Sequence, residues 1–357
     1  MQLTINTKQL LSSLQLVSKG VSTNNIVPAS SCFRLFGTGS KLEISTCNLE
    51  VSMLTSLPIN FTGDVLIPSD KIITLLSSLP DQPLIIDISP SFEIKVTAGS
   101  GIYELSGYDG SDFPVIKTDG NETIEFESSD LTEAIYSTAY ARSTDPVQTR
   151  FIGLNLDLGD GATFAGCNLL LLSVFKLDGK FKKGKLLLPV SITNIIGSLN
   201  VPGYVKISYS ENSICFEYQN LTVMSLLSGE KFPDYSGIVP KNDVKLTITR
   251  VELLSAIKRV LQFSNKVSKQ IFITSANCKL IVTGSDTNFK QKATETINVS
   301  EKSEIEISVN GGFLHDALSH MSCEYIEIYW SAPNVAIIIH EPEVKENFVM
   351  IMAMVNQ

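Results

Sequence analysis

The chain has 357 residues, of which 43% are hydrophobic and 18% charged, and it carries a formal net charge of −9. This composition excludes intrinsic disorder, and the length exceeds that of one ordinary core, so two or three domains are expected. The longest apolar runs fall far short of the roughly 18 residues that a membrane span needs. The N-terminus alternates like a strand and does not have the pattern of a signal peptide. We therefore expect a cytoplasmic protein that does not enter a membrane.

The acidic balance also limits how the chain can bind nucleic acid. Affinity for a phosphate backbone comes mainly from lysine and arginine, and a net charge of −9 opposes it. DNA binding therefore requires the basic residues to be collected on one surface and the acidic residues to lie elsewhere.

The cysteines give no sign of a metal site. No Cys-x-x-Cys pair occurs, which argues against both a zinc site and a disulfide framework. We expect reduced, partly buried thiols and no cofactor. The six cysteines are Cys32, Cys47, Cys167, Cys215, Cys278 and Cys323.

An internal repeat is the most informative feature along the chain. Two alternating apolar residues are followed by a polar position and then by apolar residues four apart, which predicts a strand, an N-cap and an amphipathic helix. The pattern recurs after 121 and then 122 residues. Its apolar positions are Leu3, Ile5, Leu10 and Leu14, then Ile124, Phe126, Leu131 and Ile135, and finally Leu246, Ile248, Leu253 and Ile257.

A second strand and helix are predicted inside each copy, with helical patterns at residues 71–79, 191–199 and 313–321. Short alternating runs at residues 41–45, 204–208 and 324–329 predict antiparallel strands. The prediction is an α+β chain of three similar domains, each made of two strand-helix-strands halves. Their boundaries are 1–122, 123–243 and 244–357. Repeats of this kind are typical of curved or closed assemblies.

One motif resembles a known family. The run Gly-Glu-Lys-Phe-Pro-Asp-Tyr-Ser-Gly-Ile-Val-Pro-Lys-Asn at residues 229–242 is similar to the end of the second domain of bacterial DNA polymerase III beta subunits, the beta sliding clamps. A weaker similarity to this motif occurs at Asp112-Phe113-Pro114, and residues 348–352 look like the family's C-terminal strand. The resemblance implies a DNA clamp fold and a head-to-tail homodimer that forms a ring around duplex DNA. It implies no catalytic residue, with DNA polymerase and the clamp loader as partners.

The resemblance also implies a basic lining for the ring, formed by predicted helices and the residues beside them. The alternative is that these cations are ordinary exposed residues. A loop that carries a DNA-contacting arginine in many family members reads Ser22-Thr23-Asn24-Asn25 here, which predicts weaker contact. The candidate DNA-binding residues are Lys8, Lys19, Lys71, Arg142, Arg150, Arg250, Lys258, Arg259 and Lys266, with Lys269 close by.

A partner-peptide groove is implied between the second and third domains, where methionines suit varied apolar ligands. The family's Thr-Asp-Gly-His-Arg-Leu run reads Phe-Ala-Gly-Cys-Asn-Leu at residues 164–169, and Ile351 replaces a proline. Peptide specificity is therefore open, as is an ordinary core role for several of these residues. The candidate groove residues are Ile152, Leu169, Pro233, Ile238, Asn310, Phe313, Phe348, Met350 and Met352.

For the ring joint, the resemblance pairs Tyr103 and Leu105 of one subunit with Leu261 and Phe263 of the other. Two edge strands that complete each other's sheets would also be protected from nonspecific pairing. The alternative is that all four residues are internal core.

Three other interpretations compete with this one. Residues 179–186 resemble a phosphate-binding P-loop, but Leu186 replaces its Ser/Thr and no helix follows. No spacing typical of a catalytic or metal site occurs among the histidines or among the candidate carboxylates. The histidines are His315, His320 and His340, and the carboxylates are Glu252, Asp316 and Glu324. A clamp-like scaffold or accessory clamp with reduced DNA binding also stays open, and we expect the charge of the lining helices to discriminate, since a clamp needs them net positive.

Overall fold

The computed structural model describes residues 1–22, 27–300, 304–342 and 344–355, so residues 23–25 of the predicted loop 22–25 lie outside the described residues. The chain divides into two compact units. The first unit comprises Met1–Leu131 and Asn194–Gly229, and the second comprises Thr132–Thr193 and Glu230–Gln357.

Among the described residues, six helices follow a strand directly or after one residue, as the repeat predicts. The helices are α1 (Thr7–Val17), α2 (Ser69–Ser78), α3 (Ser128–Ala139), the short α4 (Thr149–Ile152), α5 (Val190–Ile196), α6 (Arg250–Val260) and α7 (Gly311–Ser319). The strand that precedes each of the six alternates buried and exposed residues or ends in a buried run. The predicted period-2 and period-3.6 patterns therefore correspond to real elements.

The strands form four antiparallel sheets. In chain order they are β1 (Gln2–Asn6), β2 (Cys32–Gly39), β3 (Leu42–Cys47), β4 (Val51–Leu57), β5 (Phe61–Pro68), β6 (Pro83–Ile88), β7 (Glu93–Ala98), β8 (Gly101–Ser106), β9 (Tyr108–Asp109), β10 (Glu122–Glu127), β11 (Leu154–Cys167) and β12 (Leu171–Leu188). They continue as β13 (Tyr204–Tyr209), β14 (Ser213–Glu217), β15 (Thr222–Leu226), β16 (Val244–Thr249), β17 (Gln270–Ala276), β18 (Lys279–Asp286), β19 (Gln291–Asn298), β20 (Glu306–Asn310), β21 (Tyr325–Trp330), β22 (Ile337–His340) and β23 (Phe348–Ile351).

Each unit holds one large and one four-stranded sheet. The first unit has the orders β1-β6-β7-β8 and β10-β13-β14-β15-β4-β3-β2-β5-β9. The second has β11-β12-β23-β22-β21-β16 and β19-β18-β17-β20. In the nine-stranded sheet, β15 pairs with β4 through Val223 and Met53, so strands from the predicted first and second domains share one sheet. The three-domain boundaries stay a prediction.

The apolar repeat positions are core residues in all three copies. Each of the twelve residues is at most 7% exposed, from Leu3 in β1 to Ile257 in α6. Burying a leucine or isoleucine side chain stabilises a fold by about 1.5–3 kcal/mol relative to leaving it exposed. The repeat therefore marks where each helix packs on its own sheet.

A tight turn is also repeated. The Asn48 side chain accepts from the backbone N–H groups of Glu50 and Val51, and Asn168 does the same for Leu170 and Leu171. The residue after each asparagine, Leu49 or Leu169, has a φ of 76°. This left-handed conformation is unusual for leucine, and the asparagine bonds hold it in place. Both leucines are more than half exposed.

Candidate peptide groove, cations and sheet edges

A cavity of about 570 Å³ opens beside the C-terminal residues of the second unit. We call it the Asn310 cavity. Asn310 is the N-cap of α7: its Oδ1 accepts from the backbone N–H groups of Gly312 and Phe313, and its Nδ2 donates to the carbonyl of Ser268 at 3.1 Å. The cavity walls include Leu170, Gln270, Phe272, Asn310, Phe313 and Met352.

The C-terminal residues form one wall of this cavity. Ile351, which replaces a family proline, still pairs with Leu171 as the last residue of β23. Beyond it, the Met352 N–H donates to the Leu170 carbonyl at 2.9 Å and the Met354 N–H donates to the Ser308 carbonyl at 2.7 Å. The segment therefore leaves the end of β23, which lies between β12 and β22 in one sheet, and joins the edge strand β20 of the other.

A second part of the predicted groove is filled by its own side chains. We call it the Phe232 cluster. Rings of Phe151 and Phe232 meet edge-on with centroids 5.9 Å apart, and Phe232 meets Tyr235 at 6.2 Å. Burial raises the pKa of Tyr235 to about 12. Phe348 and Val239 pack against the same buried core, which consists of Ala165, Cys167, Leu172, Val174, Ala336 and Met350.

Five of the nine predicted groove residues therefore fall into two groups. Asn310, Phe313 and Met352 line the open cavity, whereas Phe348 and Met350 belong to the Phe232 cluster. Leu169, which is 54% exposed, lies on the turn between β11 and β12. Ile152 and Pro233 are half-buried, and Ile238 is exposed.

Sequence reasoning missed the aromatic residues that fill this second part. Phe151 directly precedes the predicted Ile152, and Phe232 and Tyr235 flank the predicted Pro233 in the family-like motif. The proximity of these aromatic residues to predicted groove residues was therefore the sequence signal that could have identified them.

The predicted DNA-binding cations differ in how free they are. Lys8, Lys258 and Lys266 are exposed. The Lys19 Nζ donates to the carbonyl and hydroxyl of Ser198, at 2.8 and 2.7 Å. Three more have acidic neighbours: Lys71 lies 3.8 Å from Asp70, Arg150 lies 3.4 Å from Glu230, and Arg259 donates two hydrogen bonds to Glu295. The bonds to Glu295 raise the pKa of Arg259.

Two predicted cations are built into the fold. Arg142 is half-buried, and its guanidinium donates to the Ala139 carbonyl and the Thr193 hydroxyl. Burial lowers its pKa. Arg250 donates to the carbonyls of Leu318 and Cys323 at 3.0 and 2.7 Å, and so satisfies a carbonyl at the end of α7. Both placements favour a structural role over contact with DNA.

The charge of the six strand-following helices is balanced. These helices contain as many carboxylates as cations, and α6 alone has a clear basic excess. Several predicted cations instead lie just after a helix, such as Lys19 after α1 and Lys266 after α6. The expectation that the lining helices are net positive is therefore not met by the helices themselves. The carboxylates are Asp70, Asp130, Glu133, Glu252 and Asp316.

The predicted joint residues lie at or near sheet edges. Tyr103 and Leu105 are half-buried on β8, the last strand of its sheet, and alternate with the exposed Ile102 and Glu104. Leu261 and Phe263 form a 3-10 turn after α6, and Phe263 is 43% exposed. In the second unit, β19 is likewise the last strand of its sheet.

The structure gives no support to the other interpretations. Residues 179–186 are part of strand β12. Within the described ranges, no three His, Cys, Asp or Glu side chains group as a metal site would require. Among the helices that the structure describes, none has the length and apolar character to span a membrane.

Comparison with known proteins places these features in one family. Residues 1–117 match the model for the N-terminal domain of the DNA polymerase III beta subunit, and residues 237–355 match the model for its C-terminal domain. The beta sliding clamp of Pseudomonas putida is 27% identical, with 99% of this chain and 100% of that protein covered. The clamp of Pseudomonas aeruginosa is 24% identical at the same coverage.

Solved structures agree on the fold. A sliding clamp from P. aeruginosa bound to griselimycin is similar with a TM-score of 0.93 at 23% identity, and a sliding clamp from Bacillus subtilis with a TM-score of 0.94 at 17% identity. Both comparisons cover 100% of both chains. With the two domain models matching at opposite ends of a chain that repeats one strand-helix plan three times, this protein belongs to the DNA polymerase III beta subunit family, the beta sliding clamps.

Proposed function

We propose that this chain is a DNA sliding clamp that encircles duplex DNA and tethers a DNA polymerase. Family membership over the whole length of the chain is the observation that carries the proposal. A tethered polymerase meets its template at high effective concentration, so dissociation is usually followed by rebinding. The chain itself catalyses no reaction.

The cations support contact with DNA that does not depend on sequence. Lys8, Lys258 and Lys266 are exposed and can approach phosphates, and phosphate contacts position a protein without reading bases. Because the charge of the helices is balanced, their electrostatic attraction to DNA is weak. This favours a protein that stays on DNA as a closed ring over one that stays by affinity.

The Asn310 cavity supports a site for partner peptides. Phe313 and Met352 give it apolar walls, and Asn310 gives it a polar edge. We infer that peptides of the polymerase and of the clamp loader bind there. Since the Phe232 cluster is already packed, a ligand side chain would have to displace Phe232 or Phe348 to use that part of the groove.

The edge strands support the head-to-tail homodimer. We propose that β8 of one subunit joins β19 of the other, with Tyr103 and Leu105 meeting Leu261 and Phe263. Pairing the two edges would satisfy their free backbone groups and remove them as sites of aggregation.

A second candidate is an accessory clamp or a clamp-like scaffold with reduced DNA binding. The observations that favour it are the balanced helix charges and the altered groove residues 164–169. A cytoplasmic location also stays a prediction from the sequence.

Primer extension tests the proposal. The full chain is added to its cognate polymerase and clamp loader on a primed single-stranded circle, at a salt concentration that suppresses extension by the polymerase alone. A clamp lengthens the products made in one binding event. Product lengths that do not change would contradict the clamp function and favour the scaffold.

A further inference from the structure

A small cavity of about 130 Å³ lies in the second unit, where the end of α3 approaches the end of α7. We call it the Tyr140 pocket. It shares no lining residue with the Asn310 cavity. Its polar lining residues include Glu133, Ser137, Tyr140, Ser173, His320 and Glu341.

The Tyr140 hydroxyl is the unusual group in this pocket. Its oxygen is buried, and none of the described residues donates a hydrogen bond to it. The Ser173 hydroxyl lies near it and can accept from the phenol O–H, but Ser173 donates its own proton to the Ser137 carbonyl at 2.7 Å, so the phenol oxygen is left without a donor. Burial raises the pKa of Tyr140, so the phenol stays neutral. Buried polar atoms are rarely left unpaired, and this one therefore points to a ligand.

The Tyr140 ring that carries this oxygen belongs to a stack of aromatic rings at the pocket. The Tyr140 and His320 rings are stacked, with centroids 4.1 Å apart and planes 16° from parallel. The His320 Nδ1 lies 2.8 Å from the Asp316 carbonyl, a distance at which an N–H donates. Tyr136, one turn earlier on α3, packs against the same imidazole at 4.6 Å. The wall is therefore held from both helices.

Two carboxylates line the pocket together with neutral polar groups that include Ser322 and Asn347. The exposed Glu133 lies one α-helical turn before Ser137, and the half-buried Glu341 lies on the segment after β22, where its side chain is hydrogen-bonded to the Cys323 thiol. Among the described residues that line the pocket, none is a lysine or an arginine. The guanidinium of Arg250 is bonded to two backbone carbonyls and does not line the pocket. A bound cation would therefore meet two carboxylates and no lysine or arginine among the described lining residues.

We propose that the Tyr140 pocket binds a guanidinium group, with the Tyr140 oxygen and the carboxylates of Glu133 and Glu341 as acceptors and the stacked rings as a platform. Guanidinium is planar, presents several donors in one plane and stacks on aromatic rings. The cavity is several times larger than the roughly 30 Å³ that a water molecule occupies in the liquid. The guanidinium comes from a free small molecule or from an arginine side chain of a partner protein. This inference does not depend on the clamp function.

Calorimetric titration of the full chain tests the proposal with three probes. Agmatine is the free guanidinium, the capped peptide acetyl-Gly-Arg-Gly-amide presents an arginine side chain, and N-butylurea is a neutral planar control. The variants are Tyr140→Phe, which removes only the unpaired oxygen, and Glu341→Gln, which removes only a charge. Glu211→Gln, at an exposed turn of the first unit, is the matched control.

We expect agmatine or the arginine peptide to bind, and Tyr140→Phe and Glu341→Gln each to weaken binding at least fivefold, while Glu211→Gln changes nothing. Binding of the peptide alone would assign the pocket to a partner's arginine, and binding of agmatine alone would assign it to a small molecule. Binding of neither probe, equal binding by the variants, or equal binding of N-butylurea would overturn the proposal. Because Tyr140→Phe removes an unsatisfied polar atom, we expect it to fold, and thermal unfolding of each variant checks this.

Discussion

The Asn310 cavity and the Phe232 cluster are both parts of the predicted groove, yet their side chains are used differently. The cavity has a polar floor that includes Asn265, Gln270 and Asn288, and its apolar residues are only partly covered. The cluster consists of aromatic rings packed on a buried core that contains Met350. A residue predicted to bind a partner can therefore be open to a ligand or committed to the fold, and burial separates the two cases.

The two methionines of the C-terminal strand region should separate these cases most strongly. Met350 is 3% exposed and Met352 is 38% exposed. Replacing Met350 with alanine leaves a cavity in the core, and we expect a loss of about 2–5 kcal/mol in the free energy of unfolding. Met352→Ala should cost less than about 1 kcal/mol and weaken the binding of partner peptides. Urea unfolding measures the free energy of unfolding of both variants. Equal destabilisation by the two variants would contradict the distinction between an open and a buried methionine.

The same contrast applies to cations. Arg250 donates to the carbonyls of Leu318 and Cys323, whereas Lys258 on the same helix is exposed. Hydrogen bonds from a charged group contribute roughly 1.5–3 kcal/mol, so Arg250→Ala should lower the stability by about 2 kcal/mol. Lys258→Ala should change it by about 0.5 kcal/mol or less. Thermal unfolding distinguishes them, and a stable Arg250→Ala variant would return this arginine to the candidate DNA contacts.

Asn310 tests whether one residue can belong to both groups. Its side chain caps α7 and also lines the cavity. Loss of the cap in Asn310→Ala should cost about 1 kcal/mol, whereas Asn310→Ser keeps an accepting oxygen at the N-cap, does not place a carboxylate against the Ser268 carbonyl, and should cost less. If urea midpoints of the two variants are the same, the cap is not what this residue contributes.

Glu327, in the sheet that contains β23, is a buried charge whose use by the fold can be tested through the pH dependence of stability. Burial raises the pKa of this carboxyl, but hydrogen bonds from Lys245 and Tyr329 outweigh burial and hold the pKa below its ordinary value of 4.5. A lowered pKa in the folded state stabilises the protein above pH 4.5, and this stability is lost as the pH falls through the folded-state value. Unfolding measured from pH 7 to pH 3 should therefore be less dependent on pH in Glu327→Gln than in the parent chain. Identical profiles would contradict this role.

Much of the fold could be predicted because its signals are local. The strand and helix periods of the repeat placed twelve core residues correctly, and the helix predicted at residues 191–199 is present, although it ends at Ile196 before Gly197. A glycine after the last turn is a common helix stop. The pairing of β15 with β4 joins residues far apart in the chain, and no local pattern encodes such a partner.

The candidate sites were harder to predict for a related reason. Whether Arg142 and Arg250 face solvent depends on distant segments, which supply the Thr193 hydroxyl to Arg142 and the Leu318 and Cys323 carbonyls to Arg250. The packing of Phe232 against Phe151 likewise depends on where two distant segments meet. Residue type and helical spacing predicted that these side chains matter, but they could not predict whether the fold or a ligand uses them.

The central claim is that this chain holds DNA by topology. The protein is placed on a nicked circular duplex by its clamp loader, and retention is compared with that on the same DNA cut once to a linear form, at a salt concentration that screens phosphate contacts. The account predicts retention on the circle and loss from the ends of the linear DNA. Equal loss from both forms would contradict it and favour a scaffold that does not encircle DNA.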